Sequence, residues 1–339
     1  MIAVFAYSKK GIETARRLGA VLSGELRFYA AERLAGEGFL PIPKPSAPLY
    51  GEAFRSCEAL VFVASCGVAV RCVAPHIRSK TTDPAVIAAD ETGRFVVSLL
   101  SGHLGGANAL AERIARAIGA TPVVTTATDS NGLFSVDTWA KNNGFAISDM
   151  GIAKAVSAAI LEREIPFKSD FEIKGALPKG LCGGEAGDIG VYATYAGESA
   201  EPFFKTLRLI PKCVILGIGC RRGMPAESIK RAVDKTLAIN GIDARAVKRV
   251  CSIDLKKDEA GLLEYCREAG LPVSFYSAEE LGAVEGDFTP SGFVKSVTGV
   301  DNVCERAAMK SADELMIRKT AEDGVTVAAA LEKTEVRFG

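Results

Sequence analysis

The stretch IAVFAYSKKGIETARRLG, residues 2–19, joins a short apolar run to a segment with helical periodicity. Ile12, Ala15 and Leu18 recur at intervals of three residues, which places them on one side of a helix. The stretch therefore predicts a β-strand followed by an amphipathic α-helix. Chains that repeat this alternation form α/β folds, in which helices cover a mainly parallel sheet.

The same alternation continues beyond this first pair. The run ALVFVAS, residues 59–65, is continuously apolar, as expected for a strand buried on both faces. Residues 68–77 predict a helix, and residues 85–100 contain two apolar runs around Asp-Glu-Thr-Gly, which predicts a hairpin. A further helix ending at Gly119 and a strand over 121–126 complete this part. We assign residues 1–145 to an N-terminal α/β domain.

The remaining chain predicts two more parts. Residues 146–211 are rich in Gly and Pro after an initial helix, which indicates a smaller mixed connecting domain. From residue 212 onward, strands and helices alternate again, beginning with a strand over 213–216, a glycine-rich turn and a helix over 225–239. The predicted fold is α/β: two units with mainly parallel sheets, 1–145 and 212–339, joined by the connecting domain.

Composition excludes several classes of protein. Lys+Arg and Asp+Glu both number 41, so the overall charge does not favour nucleic acid. No apolar run approaches the roughly 20 residues that a membrane helix needs, and the N-terminal apolar run precedes its positive charges, unlike a secretory signal. We therefore expect a cytoplasmic protein without membrane association. The nine cysteines form no Cys-x-x-Cys pair, which argues against a disulfide framework and a protein-held metal site.

The stretch SGHLGGANALAERIA, residues 101–115, is the first candidate for chemistry. Each glycine in a helix costs about 1 kcal/mol relative to alanine, so the glycines at its start indicate a special backbone requirement. His103 near a helix N-terminus would favour its neutral form and could act as a base. Ser101 could cap the helix or act as a nucleophile, and the amides of Gly105 and Gly106 could bind an oxyanion. The alternative is that these residues only pack or cap the helix.

A second candidate is the sequence GIGCRRG, residues 217–223, between a predicted strand and helix. Amides in a glycine-rich bend and the fork-shaped guanidinium groups of arginine suit an anionic ligand. The predicted binding residues are Gly217, Gly219, Arg221, Arg222 and Gly223. The alternative is a tight structural turn with solvated arginines. The spacing does not match a dinucleotide fingerprint, because no acidic residue follows at the required position.

Two further groups of polar residues complete the candidates. Arg71, Arg78 and Lys80 surround His76 and could bind acidic groups, or they could simply be solvated. Asp129 follows a predicted strand in TATDSNG, residues 126–132, where α/β proteins place ligand contacts. The same segment would also serve as a helix-capping loop.

These stretches together resemble the CbiG family, the cobalt-precorrin-5A hydrolases of anaerobic cobalamin biosynthesis. In the N-terminal part the resemblance is carried by residues 61–86, 101–115 and 125–132. In the last third it is carried by GIGCRRGMPAESI, SIDLKKDEAGLLEYC, SFYSAEEL and SVTGVDNVCERAA. The segments occur in the expected order, and the central region matches only weakly.

The resemblance implies a hydrolase that opens a δ-lactone on a cobalt-containing, ring-contracted tetrapyrrole and releases acetaldehyde. Cobalt would arrive with the substrate, so no cofactor is expected, and neighbouring cobalamin-pathway enzymes are conceivable partners. His103 is the first candidate for the base and Asp129 the second. Two alternatives remain open: a non-catalytic carrier or scaffold for corrinoid intermediates, and a nucleotide-dependent enzyme that uses residues 217–223.

Overall fold

The computed structural model describes residues 1–79, 82–103, 105–127 and 131–338. The chain divides into two compact units, Met1–Lys141 and Asn142–Gly339. The first boundary lies close to the one predicted at residue 145. The predicted connecting domain and C-terminal domain both lie within the second unit, where each has a sheet of its own.

The N-terminal unit contains a sheet of seven strands in the order β3-β2-β1-β4-β5-β6-β7. The strands are β1 (Ile2–Ala6), β2 (Leu26–Ala31), β3 (Phe39–Ile42), β4 (Ala59–Val63), β5 (Ala85–Ala89), β6 (Phe95–Leu100) and β7 (Thr121–Val123). The first five are parallel, β6 pairs antiparallel with β5, and β7 is parallel to β6. The central strands β1, β4 and β5 are buried throughout, as their continuous apolar sequences predict.

Helices cover both faces of this sheet. They are α1 (Lys9–Gly19), α2 (Ala47–Ser56), α3 (Cys66–Val73), α4 (Ala107–Ile118) and α5 (Val136–Asn143). Apolar residues of α1 and α4, such as Leu18 and Ile114, pack on one face, and residues of α2 and α3, such as Phe54 and Val73, pack on the other. The sheet is therefore the middle layer of three.

The reversed direction of β6 decides where its following loop lies. Because β6 is antiparallel to β5, its carboxyl end lies at the edge where β1, β4 and β5 begin. The loop 101–106 and the segment after β7 therefore lie at this edge. The loops after β1, β2 and β3 lie at the opposite edge. The N-terminal unit thus has two separate edges at which ligands could bind.

The second unit contains two five-stranded sheets, in the orders β11-β9-β12-β13-β8 and β16-β15-β14-β18-β17, and a short pair β10-β19. The strands are β8 (Phe145–Ile147), β9 (Ile165–Ser169), β10 (Glu172–Lys174), β11 (Leu181–Gly183), β12 (Ile189–Ala193), β13 (Lys205–Pro211), β14 (Val214–Cys220), β15 (Val247–Ile253), β16 (Val273–Tyr276), β17 (Glu314–Glu322), β18 (Val325–Leu331) and β19 (Glu335–Arg337). The helices are α6 (Met150–Ile160), α7 (Ala226–Ile239), α8 (Ala260–Glu268), α9 (Ala278–Gly282), α10 (Gly292–Thr298) and α11 (Cys304–Met309).

A buried ion cluster lies between elements of the second unit. Arg208 on β13 donates to Asp243, which precedes β15, over 3.1 Å, and Arg245 donates to the same carboxylate over 2.7 Å. The side chains of Arg208 and Asp243 are only 7% and 8% exposed. Burial acts to raise the pKa of Asp243, but hydrogen bonds from Arg245 and the nearby positive charges outweigh it and hold the pKa below its ordinary value.

The predicted α/β class and the hairpin of β5 and β6 are confirmed, and the sheets of the N-terminal unit and of the connecting region are mainly parallel. The expectation of a mainly parallel sheet over 212–339 is wrong, because β14 pairs antiparallel with β18 and β18 pairs antiparallel with β17, and only β14, β15 and β16 are parallel. The expected end of a strand at residue 216 is wrong, because β14 continues to Cys220 in antiparallel pairing with β18. The sequence patterns do not predict strands β2, β3, β8, β9, β10, β11, β17 and β19. Within the described part of the chain, no helix is long and apolar enough to cross a membrane.

Candidate functional site

The loop 101–106 connects β6 to α4 through a tight backbone turn. Helix α4 begins at Ala107 with Gly106 as its N-cap, so the prediction that Ser101 caps the helix is wrong. Instead, the carbonyls of Ser101 and Gly102 accept hydrogen bonds from the amides of Ala107 and Asn108, over 3.1 and 3.0 Å. The loop carbonyls therefore satisfy the first amides of the helix.

The glycines allow the loop to fold back on itself. A Cβ atom on Gly105 would lie 2.3 Å from the Cβ of Ser101, and one on Gly102 would lie 2.7 Å from Oδ1 of Asn108. Gly106 has φ of +83°, a left-handed conformation that side chains disfavour. Close approach and backbone conformation explain why three glycines occur in six residues of a loop that precedes a helix.

The predicted oxyanion donors differ in availability. The amide of Gly106 donates to the carbonyl of His103 over 2.8 Å, so the expectation that it is open to a ligand is wrong. The amide of Gly105 has no acceptor among the residues that the structure describes. Gly105 therefore remains a candidate donor, and Gly106 has a structural role.

His103 faces a carboxylate that the sequence analysis did not single out. Its Nδ1 atom lies 3.9 Å from Oδ2 of Asp137 on α5, within ion-pair distance but beyond a direct hydrogen bond. The other oxygen of Asp137 accepts from the Ser135 hydroxyl over 2.8 Å and from the Thr138 amide over 2.9 Å. The carboxylate is thus held in place with one oxygen directed at the imidazole.

Ser101, two residues before His103, has an unusual backbone conformation and an unsatisfied hydroxyl. Ser101 has φ of +58°, rare for a residue with a side chain. Its Oγ atom is buried, and the described residues offer it no hydrogen-bond partner. A strained residue with an unsatisfied buried hydroxyl is a feature that concentrates at functional sites.

Asn108 ties the loop to the segment after β7. Its side chain accepts from the Ser98 hydroxyl over 2.7 Å and donates to the Thr126 hydroxyl over 2.9 Å. This buried asparagine, 7% exposed, joins β6, α4 and the segment that carries TATDSNG. Asn108 therefore links Thr126 to the start of α4, and a ligand role for the segment 126–132 stays a prediction. Asp129 itself lies outside the described residues.

The predicted cationic cluster consists of Arg71, Arg78 and Lys80 around His76. Arg71 and Arg78 are exposed, and Arg71 donates to the carbonyl of Gly67 over 3.2 Å. The ring of His76 packs against Phe54, with centroids 6.2 Å apart. Lys80 lies outside the described residues. A binding role for these cations stays a prediction.

The second candidate, residues 217–223, is built differently from the prediction. Gly217 and Gly219 lie inside β14 rather than in a turn. A Cβ atom on Gly217 would lie 1.7 Å from the carbonyl oxygen of Cys304 on α11, so this glycine permits helix–sheet packing. A Cβ atom on Gly219 would lie 2.6 Å from Oγ1 of Thr326. The hypothesis that these two glycines present amides to an anion is wrong.

The arginines of this segment lie in the exposed turn that follows the strand. The amide of Gly223 donates to the Glu259 carboxylate over 2.6 Å, and Lys256 lies 3.1 Å from the same carboxylate. Burial acts to raise the pKa of Glu259, but the Gly223 amide and Lys256 together lower it. The Glu259 carboxylate thus takes up the hydrogen bond of the Gly223 amide. Arg221 and Arg222 remain as exposed cations in this turn.

Among the described residues, no three His, Cys, Asp or Glu side chains are grouped so that they could hold a metal ion. All nine cysteines are free thiols.

Comparison with known proteins gives matches in both parts of the chain. The family models Cobalamin synthesis G N-terminal and Cobalamin synthesis G C-terminus match residues 49–129 and 214–330. The chain is 35% identical to the cobalt-precorrin-5A hydrolase of Salmonella typhimurium (strain LT2), over 96% of both chains. It is 32% identical to the cobalt-precorrin-5A hydrolase of Priestia megaterium, over 97% of this chain and 94% of that protein. Protein CobE of Sinorhizobium sp is 31% identical over 34% of this chain and 79% of its own length.

Proposed function

This chain belongs to the cobalamin synthesis G family, and we propose on that basis that it hydrolyses the δ-lactone of cobalt-precorrin-5A. The reaction would release acetaldehyde and give cobalt-precorrin-5B in cobalamin biosynthesis. The observation that carries this proposal is the similarity to the Salmonella typhimurium hydrolase, which extends over 96% of both chains. A match of this length covers both structural units rather than one shared domain.

His103 is the proposed general base. Opening a lactone requires a water molecule to attack the carbonyl carbon while a base accepts its proton. The ring C–O bond then breaks, which leaves a carboxylate and an alkoxide on the extruded carbon. Formation of the acetaldehyde C=O bond from this alkoxide breaks the C–C bond to the macrocycle, which keeps the electron pair and takes up a proton. Asp137 lies on the Nδ1 side of the ring, so it favours the tautomer with a proton on Nδ1 and a lone pair on Nε2. It would also stabilise the imidazolium ion that forms. The 3.9 Å separation is long for this role, and substrate binding would need to shorten it, as often happens at catalytic hydrogen bonds.

Gly105 and Ser101 complete the proposed site. As the carbonyl oxygen gains negative charge, the Gly105 amide would donate a hydrogen bond to it. Ser101 could add a second donor if its buried hydroxyl turned toward the substrate. In the alternative mechanism Ser101 is the nucleophile and His103 accepts its proton, which gives an acyl-enzyme that water then hydrolyses. Asp129 is the second candidate for the base.

Arg221 and Arg222 are the proposed contacts for the carboxylate side arms of the substrate in the C-terminal part. Arg71, Arg78 and Lys80 are proposed to bind such arms in the N-terminal part. Guanidinium groups form paired hydrogen bonds with carboxylates, which suits a ligand with several acidic arms. Cobalt would enter and leave as part of the substrate, so no cofactor held by the protein is proposed. We further propose a cytoplasmic location, with neighbouring pathway enzymes as possible sources of substrate.

Anaerobic incubation of the full chain with cobalt-precorrin-5A tests the proposed function. The expected result is stoichiometric acetaldehyde, together with a corrinoid product whose mass is lower by the released fragment and higher by one water. Binding of the substrate without acetaldehyde release would contradict the hydrolase function and favour a carrier or scaffold. A requirement for an added nucleotide would instead favour the nucleotide-dependent alternative.

A further inference from the structure

The N-terminal unit contains a cavity at the edge opposite to His103. It lies at the carboxyl ends of β1, β2 and β3 and has a volume of about 530 Å³. Its lining includes Tyr7, Arg33, Ile42, Lys44, Ser46 and Tyr50. Ligand pockets generally occupy about 300–1,000 Å³, so this volume suffices for a small molecule or one edge of a larger one.

The strand order explains why a cavity forms here. From β1 the chain builds the sheet outward through β2 and β3, and α2 then returns it to β4 on the other side of β1. In open α/β sheets, ligands commonly bind outside the carboxyl ends of strands near such a reversal of strand order. The five residues of β1 span about 17 Å, so the sheet separates this cavity from the loop that holds His103.

A chain of hydrogen-bonding groups lies at one side of the cavity. The hydroxyls of Tyr7 and Tyr50 are 2.8 Å apart, and the Tyr7 hydroxyl lies 3.9 Å from Sγ of Cys72. Burial raises the pKa of Tyr50 to about 12, so it is a neutral donor at physiological pH. Tyr50 also interacts with the hydroxyl of Ser46, so polar hydroxyl groups line this side of the cavity.

The charged lining is predominantly positive. Arg33 is exposed and has no carboxylate partner among the described residues. Lys44 lies 3.4 Å from Glu32, but the two side chains are 85% and 67% exposed, and such a pair is weak. Ile42 and Pro43 add apolar surface between these cations and the tyrosines. The cavity thus offers cations, polar hydroxyl groups and an apolar wall.

We infer that this cavity binds a ligand carboxylate together with the apolar carbons next to it, with Arg33 and Lys44 contacting the carboxylate and Ile42 and Pro43 contacting the carbons. The carboxylate could belong to a side arm of a tetrapyrrole or to a free organic acid. The tetrapyrrole source rests on the proposed function, whereas the carboxylate site does not. The site is distinct from the His103 loop, so the two can be tested separately.

Calorimetric titration of the full chain with uroporphyrin III and with succinate tests this inference. Binding of at least one probe is expected, weakened about tenfold or more by the double substitution Arg33→Gln and Lys44→Gln, because two charge-assisted contacts are lost. Arg55→Gln removes an exposed cation from α2 outside the cavity and should leave binding unchanged. Ala31→Phe, which fills the cavity without changing charge, should also weaken binding.

The outcomes distinguish the two ligand sources. Site-dependent binding of uroporphyrin III supports a tetrapyrrole arm, and site-dependent binding of succinate alone supports a free acid. The inference is overturned if neither probe binds, or if the double variant binds both probes as tightly as the Arg55→Gln control. Succinate binding does not depend on the proposed function, so failure of that function would be recognised separately from failure of this site.

Discussion

The Nδ1 atom of His103 lies 3.9 Å from Oδ2 of Asp137, although 34 positions separate the two residues in the sequence. The carboxylate is fixed by Ser135 and Thr138, and the histidine by a loop that contains three glycines. The fold therefore pairs a histidine with a carboxylate at the edge of the sheet where β6 ends. This pair is the chemical centre of the proposed site.

Asp137→Asn should reduce lactone hydrolysis by roughly 100-fold. The amide lacks the negative charge that stabilises the imidazolium ion, and it orients the imidazole ring less well than the carboxylate does. Steady-state acetaldehyde release measures this effect. Glu112→Gln removes one negative charge from the exposed side of α4 and is the matched control. Equal rates for Asp137→Asn and Glu112→Gln would exclude Asp137 from the mechanism.

Gly105→Ala should lower the rate on the order of 100-fold, because its Cβ would lie 2.3 Å from the Cβ of Ser101 and would displace the loop. Gly106→Ala meets no atom within 4 Å, so only its left-handed backbone is strained, at a cost of about 1 kcal/mol. Activity assays and urea unfolding of both variants separate the two effects. If Gly105→Ala retained full activity, the close packing of this loop would have no catalytic importance.

Much of this site could not have been predicted from the sequence. Ser101, His103 and the glycines stand out because they occur together before an amphipathic helix. Asp137 carries no such signal: it lies in the first turn of α5, where a carboxylate is ordinary. Its contact with His103 depends on the reversal of β6 and on the path of the chain after β7, and neither follows from local spacing.

Arg221→Ala should raise KM for the corrinoid substrate about tenfold and leave kcat nearly unchanged, since a lost carboxylate contact weakens binding in the ground and transition states alike. Arg267→Ala, which removes an exposed cation from α8, is the control. Glu259→Gln should lower KM for the corrinoid substrate, because it removes a negative charge that lies against the turn that carries Arg221. A fall in kcat with unchanged KM for Arg221→Ala would contradict a binding role.

The arginines and glycines of residues 217–223 show why a sequence motif alone does not identify an anion-binding site. Strand–glycine–arginine–helix patterns occur both in anion sites and in strands that pack closely against a helix. The decisive fact is that the carbonyl of Cys304 approaches Gly217, and this contact comes from α11, 87 positions later.

The α/β class was predictable because apolar periodicity is local. Strands β2 and β3 lie near the sheet edge with mixed burial, so their periodicity is weaker.

Asp243→Asn should destabilise the second unit by about 3 kcal/mol, because it leaves Arg208 buried beside a neutral group. The pKa of Asp243 is lowered in the folded state. Its contribution to stability is therefore complete above its ordinary pKa of about 3.9 and is lost as pH falls through the lower folded-state value. Urea unfolding between neutral pH and about pH 3 should show a smaller acid-induced loss of stability in the variant than in the wild type.

Asp188→Asn is the control for this prediction. It breaks an ion pair with Arg163 in which the side chains are 51% and 66% exposed, so a cost below about 1 kcal/mol is expected. If the two variants lost the same free energy of unfolding, the buried cluster would contribute no more to stability than an exposed ion pair does.

The most direct test of the central claim is single-turnover acetaldehyde release from cobalt-precorrin-5A by wild type and His103→Gln under anaerobic conditions, at saturating enzyme. The proposed mechanism predicts that the variant binds the corrinoid normally but releases acetaldehyde at least about 100-fold more slowly, since general-base catalysis is lost. A variant that releases acetaldehyde at the wild-type rate would show that another group, such as Asp129, accepts the proton.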